Sequence, residues 1–174
     1  MTKSGITSLS TAMTEQLPFS PFFWHDNAIH GFRLELGDPP SDWRSELVLD
    51  IDHIVEWLCE PGQTPQLRVA PATLTFLAAG DLQIGIDCGD SLGQVALHEL
   101  SIDRIERESI VTQRAPVVPP LYRWHIALNW PQGGFIRFAA RDWRLELRGA
   151  AQLSTGSRLP PGLRGTKPTI EPCA

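Results

Sequence analysis

The sequence predicts a mainly β protein, with one domain of about eight mostly antiparallel strands arranged as a sandwich or a barrel. Three observations support this fold class. Apolar residues recur at every second position through most of residues 19–153, and clusters of Gly, Pro and Asp interrupt this alternation. No long helical pattern separates consecutive strands, as parallel pairing would require. The length of 174 residues suits a single domain with one core.

The first four strands are each predicted from alternation that ends at a chain break. They are Ala28–Leu36, Glu46–Trp57, Leu67–Leu77 and Leu82–Cys88. Alternation places His30, Phe32, Leu34 and Leu36 on one face of the first strand. The pair Gly80–Asp81 predicts a hairpin between the third and fourth strands. Pro71 predicts that the third strand begins at a bulge or lies at an edge, and an edge strand would offer a pairing site to a second copy of the chain.

The second half of the domain supplies four further strands. They are Gln94–Glu106, Tyr122–Trp130, Phe135–Ala140 and Trp143–Leu147. The first of them also fits helical spacing, but the alternation of Ala96, His98, Leu100 and Ile102 favours a strand. The turn Pro131–Gly134 separates the second strand of this group from the third.

Two terminal stretches lack this alternation. Residues 1–18 are predicted to be a flexible N-terminal tail, and residues 19–153 form the β domain. Residues 154–174 are rich in Pro and Gly, a composition that buries too little apolar surface to offset chain entropy. They are expected to form a disordered C-terminal tail or to lie along the surface of the domain.

Charge is unevenly distributed along the chain. Residues 1–103 contain four basic and 15 acidic residues, whereas residues 104–174 contain 11 basic and five acidic residues. One explanation is that acidic and basic strands are neighbours in the sheet, where facing opposite charges are mildly stabilising. The other is a polar molecule with two binding faces.

Several function classes find no support in the sequence. No apolar run is long enough to span a bilayer, so we expect a cytoplasmic protein without a membrane partner. Cys59, Cys88 and Cys173 form no CxxC pair and are expected to be free thiols. Nucleophile-elbow and phosphate-binding motifs are missing, so no cofactor is expected. Aromatic residues and arginines alternate in Tyr122–Trp130 and therefore face opposite sides, which argues against a nucleic-acid partner.

Histidines and carboxylates are concentrated in two segments that make up the candidate site. The candidate binding residues are His25, Asp26, His30, Asp50, Asp52 and His53. Imidazole and carboxylate groups are metal ligands, so a metal-dependent or small-ligand function is one interpretation. The spacing matches no zinc motif, and alternation turns both Asp50 and Asp52 away from His53. The other interpretation is that His25 or Asp26 caps the entry to the first strand and that Asp50 and Asp52 meet arginines across the sheet.

Three histidines, His30, His53 and His98, fall on the apolar side of their predicted strands. Polar groups on an apolar lining are typical of a ligand cavity. Core histidines whose ring nitrogens are satisfied by hydrogen bonds show the same pattern, and this is the interpretation that we favour.

The segment Trp24–Phe32 (WHDNAIHGF), followed by Leu49–Ile54 (LDIDHI), resembles the opening of small β-rich bacterial proteins, some of which are similar to immunity proteins of polymorphic toxin systems. The resemblance covers about the first third of the chain. It implies a non-enzymatic protein that binds another protein, and it assigns no catalytic residues. Together with the missing catalytic motifs, it predicts a protein-binding module whose partner is another protein, with homo-oligomers as a further expectation.

Overall fold

The computed structural model describes residues 19–38, 44–89, 98–110 and 120–165. This part of the chain forms nine strands and two short 3-10 helices, Pro21–Trp24 and Pro161–Leu163. The strands are β1 (Ala28–Leu36), β2 (Ser45–Leu58), β3 (Gln66–Leu77), β4 (Gly80–Gly85), β5 (Leu100–Ser109), β6 (Tyr122–Trp130), β7 (Phe135–Ala140), β8 (Asp142–Leu147) and β9 (Gln152–Ser154). The predicted fold class, mainly β and antiparallel, is confirmed. Neither helix in the described residues is long and apolar enough to cross a membrane.

All nine strands belong to one sheet, which is not closed into a barrel. Its order is β4-β7-β6-β5-β1-β2-β3-β8, and the short strand β9 also pairs with β3. The predicted hairpin between the third and fourth strands is wrong, because β4 pairs with β7 instead. Ala78 and Asp81 adopt positive φ angles of 53° and 52° at the junction between β3 and β4, and the chain passes to a new partner there.

The larger of two apolar clusters in the described residues lies on one side of the sheet. Trp124, Phe76 and Phe138 are almost completely buried and contact one another through ring edges or faces. We call the side of the sheet that carries these rings the inner face and the opposite side the outer face. Leu47 and Leu49 of β2 lie on the inner face, whereas Asp50 and Asp52 lie on the outer face.

The third strand is not an edge strand, so that part of the prediction from Pro71 is wrong. β3 pairs with β2 on one side, and on the other it pairs with β9 at residues 67–69 and with β8 at residues 72–77. Pro71 lies between these two ladders, where its carbonyl accepts a hydrogen bond from the Arg148 backbone N–H. A residue without an N–H group is tolerated at such a break between ladders.

Residues 155–165 lie against the outer face of β2 and β3, and we call them the C-terminal segment. Leu159 is 3% exposed and packs with Ile54, Leu67 and Val69 in a second, smaller apolar cluster. Of the two alternatives for the end of the chain, this part therefore follows the second, lying along the domain surface. Residues 166–174, like residues 1–18, are outside the described part of the chain.

Candidate functional site

Asp52 is the centre of a charged cluster between the outer face of the sheet and the C-terminal segment. Its side chain is completely buried. One carboxylate oxygen accepts a hydrogen bond from the Leu159 backbone N–H at 2.9 Å, and the same oxygen accepts from Arg164 Nη2 at 2.7 Å. Charge-assisted hydrogen bonds of this length are strong, so Asp52 holds the C-terminal segment in place.

Arg164 joins Asp52 to a second carboxylate, that of Glu99. Its Nη1 and Nη2 atoms donate to the two Glu99 oxygens at 2.6 and 2.8 Å, which is a bidentate pair. The hydrogen bonds from Arg164 lower the pKa of Glu99. The Arg164 side chain is only 13% exposed, and the carboxylates that bind it belong to this chain. The site is thus a guanidinium site that the protein fills with its own residue.

His30 lies beside this cluster, on the face opposite to the one expected from strict alternation. A β-bulge between Ile29 and Gly31 adds one unpaired residue to β1 and turns His30 to the outer face. Its Nε2 atom lies 3.7 Å from an Asp52 oxygen and 3.5 Å from Arg148 Nη2. Burial and the charge of Arg164 lower the pKa of His30, in that order of importance.

Asp50 is paired with two arginines, one from the adjacent strand β1 and one that directly follows β8. Arg33 of β1 donates to it at 3.0 Å, and Arg148, just after β8, lies 3.5 Å away. For Asp50 this agrees with the second interpretation that the sequence offered, in which it meets arginines across the sheet, whereas Asp52 meets an arginine of the C-terminal segment.

His53 belongs to the core and is separated from Asp50 and Asp52 by the sheet, as alternation predicts. It is 9% exposed, and its ring lies 5.7 Å from that of Trp24. The Asn27 amide nitrogen, which can only donate, lies 3.2 Å from His53 Nδ1, so this ring nitrogen is the acceptor. Burial lowers the pKa of His53 to about 4. His53 is therefore a neutral core histidine whose Nδ1 is satisfied by a side chain.

His25 and Asp26 lie apart from the charged cluster, at the entry to β1. His25 Nδ1 lies 3.0 Å from the Asp103 carbonyl oxygen. Asp26 has a positive φ angle of 62° and accepts a hydrogen bond from the Asn129 side chain at 2.6 Å. These contacts fasten the turn before β1 to β5 and β6, which is close to the capping role that the sequence offered.

The six predicted site residues thus divide into three places and do not converge on one point. Among the described residues, no group of three or more His, Cys, Asp or Glu side chains could hold a metal ion. His98, expected on an apolar face, is exposed, and its ring lies 5.9 Å from that of Trp130. Cys59 and Cys88 are free, as predicted, and both are exposed; Cys173 lies outside the described part of the chain.

The uneven charge distribution is neutralised inside the molecule. Acidic residues of the first part of the chain bind arginines of the second part in the pairs Glu46–Arg144, Asp50–Arg148, Asp52–Arg164 and Glu99–Arg164. None of these four pairs joins strands that are adjacent in the sheet, because β3 lies between β2 and β8 and Arg164 belongs to the C-terminal segment. Opposite charges of the two parts of the chain therefore meet within the molecule, but not across neighbouring strands as the first explanation expected.

Sequence reasoning missed the residues that complete the cluster, namely Arg148, Arg164 and Glu99. Arg164 lies in a segment rich in Pro and Gly, which carries no periodic signal, so its partner is fixed only by the fold. The excess of arginine near the end of an otherwise acidic chain was the one signal that pointed to such pairing.

The second half of β1, Gly31–Leu36, is the other unusual feature of the surface. Phe32 and Leu34 pair with Leu49 and Leu47 of β2, so they belong to the inner face. Leu49 and Leu47 are 0% and 1% exposed, yet Phe32 and Leu34 are each 50% exposed, and Leu36 is 77% exposed.

These side chains are exposed on a part of β1 that has a strand neighbour on one side only among the described residues. Within the described residues, β5 pairs with β1 only at Ala28 and Ile29, and Gly31–Leu36 has β2 alone as a strand partner. We call Gly31–Leu36 the β1 edge. It combines an apolar row with backbone groups that point away from the sheet, the two features that accept a strand from another chain.

Comparison with protein families, with curated proteins and with solved structures finds no match to this chain.

Proposed function

We propose that this protein is a non-enzymatic protein-binding module and that its partner binds along the β1 edge. One observation carries the proposal: Phe32, Leu34 and Leu36 form an exposed apolar row on a strand that lacks a second neighbour among the described residues. Single exposed apolar residues are common on protein surfaces, whereas three in a row along a strand that has one described neighbour are typical of an interaction site.

The arrangement of the charged groups supports binding rather than catalysis. Asp52, Glu99 and Asp50 are each held by arginines, and His53 is held in the core by Asn27. Groups engaged in this way stabilise the fold and are not presented to a substrate. The resemblance to small β-rich bacterial proteins, some of which are similar to immunity proteins, implies the same role, in which the partner would be a toxin.

Affinity capture from a lysate of the native host tests the proposal with two matched variants. Leu34→Asp places a charge in the apolar row, whereas Leu153→Asp makes the same change at a residue of β9 that is 60% exposed. We expect wild type and Leu153→Asp to retain the same bound protein and Leu34→Asp to lose it. Equal capture by all three proteins would refute binding at the β1 edge.

A toxin partner makes a narrower claim, which co-expression can test. If a neighbouring gene encodes a toxin, wild type should protect cells from it and Leu34→Asp should not. Protection by both proteins would place the toxin contact elsewhere on the surface.

A further inference from the structure

We infer that a partner of the β1 edge is a second copy of this chain, which adds its own β1 edge antiparallel to the first about a two-fold axis at Leu34. The inference rests on the proposed function, because it names what binds to the surface assigned there. It follows from the order of side chains along Phe32–Leu36, which is self-complementary.

The apolar side of the edge is complementary to itself when Leu34 lies opposite Leu34 of the second copy. Antiparallel pairing then places Phe32 opposite Leu36 and Leu36 opposite Phe32. All three side chains are half or more exposed in the single chain, so each has surface to lose on pairing. Both copies keep this row on the same side, which would continue the inner faces of two sheets into one surface.

The charged side of the edge is complementary in the same register. Arg33 and Glu35 point to the outer face with side chains 45% and 52% exposed. With Leu34 at the axis, Arg33 of each copy lies opposite Glu35 of the other, and facing opposite charges stabilise a strand pair. Arg33 already donates to Glu35 in its own strand at 2.8 Å and to Asp50 at 3.0 Å. The guanidinium has five N–H groups, so it can keep these bonds and add another.

Other registers lose this match. An axis at Arg33 places two arginines opposite each other, and an axis at Glu35 places two glutamates opposite each other. A shift by one residue sets charged side chains against the apolar row, because residues directly opposite share a face. Leu34 is therefore the one centre along Phe32–Leu36 at which both sides of the strand match.

Sedimentation velocity with two charge variants tests the inference. The paired segment is short, so we expect a weak dimer, with wild type changing from monomer to dimer between roughly 1 µM and several hundred µM. Arg33→Glu and Glu35→Arg each place like charges opposite one another in the self-pair. Each variant alone should dimerise about tenfold more weakly than wild type.

Mixing the two variants is the decisive step. In the mixed dimer one edge carries acidic side chains at both charged positions and the other edge carries basic side chains at both, so opposite charges face each other again. We expect the mixture to recover a dimer that neither variant forms well alone. A fold defect cannot produce this recovery, and thermal unfolding of each variant supplies the folding control. A mixture that stays as monomeric as its components overturns the inference.

Disulfide trapping tests the register independently of charge. In a background in which Cys59, Cys88 and Cys173 are replaced by Ser, Leu34→Cys places two thiols opposite each other at the axis. Leu36→Cys places each thiol opposite Phe32. Mild oxidation should cross-link Leu34→Cys to a dimer and leave Leu36→Cys largely uncross-linked. Equal cross-linking of both, or of neither, contradicts the register.

The inference and the proposed function can fail separately. A wild type that remains monomeric at all concentrations overturns self-association. If Leu34→Asp nevertheless loses the protein captured from the lysate, binding of another protein at the β1 edge stands.

Discussion

The two halves of β1 lie in one strand and share β2 as a neighbour, but they differ in what covers them. At Ala28 and Ile29 the strand is paired on both sides, and the C-terminal segment closes the outer face over the nearby Asp52; we call this part the sealed half of β1. Along the β1 edge, the same strand is paired on one side within the described residues, and its apolar row is half exposed. Among the described residues, the chain therefore covers the first part of β1 on both sides and the β1 edge on one side only, and the proposed partner would bind along the other side. This contrast can be tested, beginning with the change that should affect stability most.

Removing the Arg164 side chain should have the largest effect, because it leaves the buried Asp52 without its arginine and removes the bidentate partner of Glu99. We expect Arg164→Ala to lower the free energy of unfolding by about 3–5 kcal/mol, as breaking a buried ion pair commonly does. Urea unfolding measures the change. Arg158→Ala is the matched control, since Arg158 lies 3.8 Å from Glu99 with a side chain 42% exposed, and it should cost less than about 1 kcal/mol. Equal effects of the two changes would mean that the buried pair of Arg164 and Asp52 does not hold the C-terminal segment on the sheet.

The pH dependence of stability should report His53, the buried histidine of β2 that is bound by Asn27, just before the sealed half of β1. The pKa of His53 is about 4 in the folded protein and near 6.5 when the chain is unfolded. Between these values the unfolded chain binds the proton more readily, so stability is lost as the pH falls from about 6.5 towards 4. The loss reaches up to about 3 kcal/mol. Urea unfolding over this range should show a smaller pH dependence for His53→Gln than for wild type, and an unchanged slope would contradict the neutral core role.

Shortening Leu159 tests the apolar contact of the C-terminal segment. Leu159→Ala leaves a gap over Ile54, Leu67 and Val69, and we expect a cost of about 2 kcal/mol, at the lower end for a buried leucine, because the cluster is small. Leu163→Ala, at a residue 49% exposed in the same segment, should cost less than about 0.5 kcal/mol. If both changes are neutral in urea unfolding, Leu159 does not hold the segment.

Two leucines that lie opposite each other on adjacent strands test how much the difference in burial matters for stability. Leu34 and Leu47 are direct neighbours on the inner face, with exposures of 50% and 1%. Leu34→Ala should change the free energy of unfolding of the monomer by less than about 0.5 kcal/mol, whereas Leu47→Ala should cost about 3 kcal/mol. Thermal or urea unfolding at low protein concentration measures both. A large loss for Leu34→Ala would mean that this side chain serves the core and not a partner.

Much of the fold could be predicted because alternation is a local signal. Ala28–Leu36, Tyr122–Trp130 and Phe135–Ala140 agree in both bounds with β1, β6 and β7. The pairing of β4 with β7 could not be predicted, because the partner of a strand depends on contacts far along the chain. β9 was missed because its three residues are too few to show alternation.

The candidate site was less predictable than the fold, for two physical reasons. The bulge at His30 reverses the facing of this side chain relative to Phe32, and the isolated Gly31 inside the strand pattern is the one local sign of an extra residue there. The partner of Asp52 is Arg164, which is 112 positions away in a segment without periodicity. The pairing of Asp50 and Asp52 with arginines was foreseen from charge alone, whereas the identities of those arginines required the fold.

Hydrogen exchange of the backbone amides tests most directly whether the β1 edge is the interaction surface. The sealed half of β1 and the C-terminal segment should exchange at the same rate at low and at high protein concentration. The amides of Gly31–Leu36 that point away from β2 should become slower to exchange at high concentration, or on adding the captured partner. Exchange that slows elsewhere in the chain while Gly31–Leu36 remains unchanged would contradict the account.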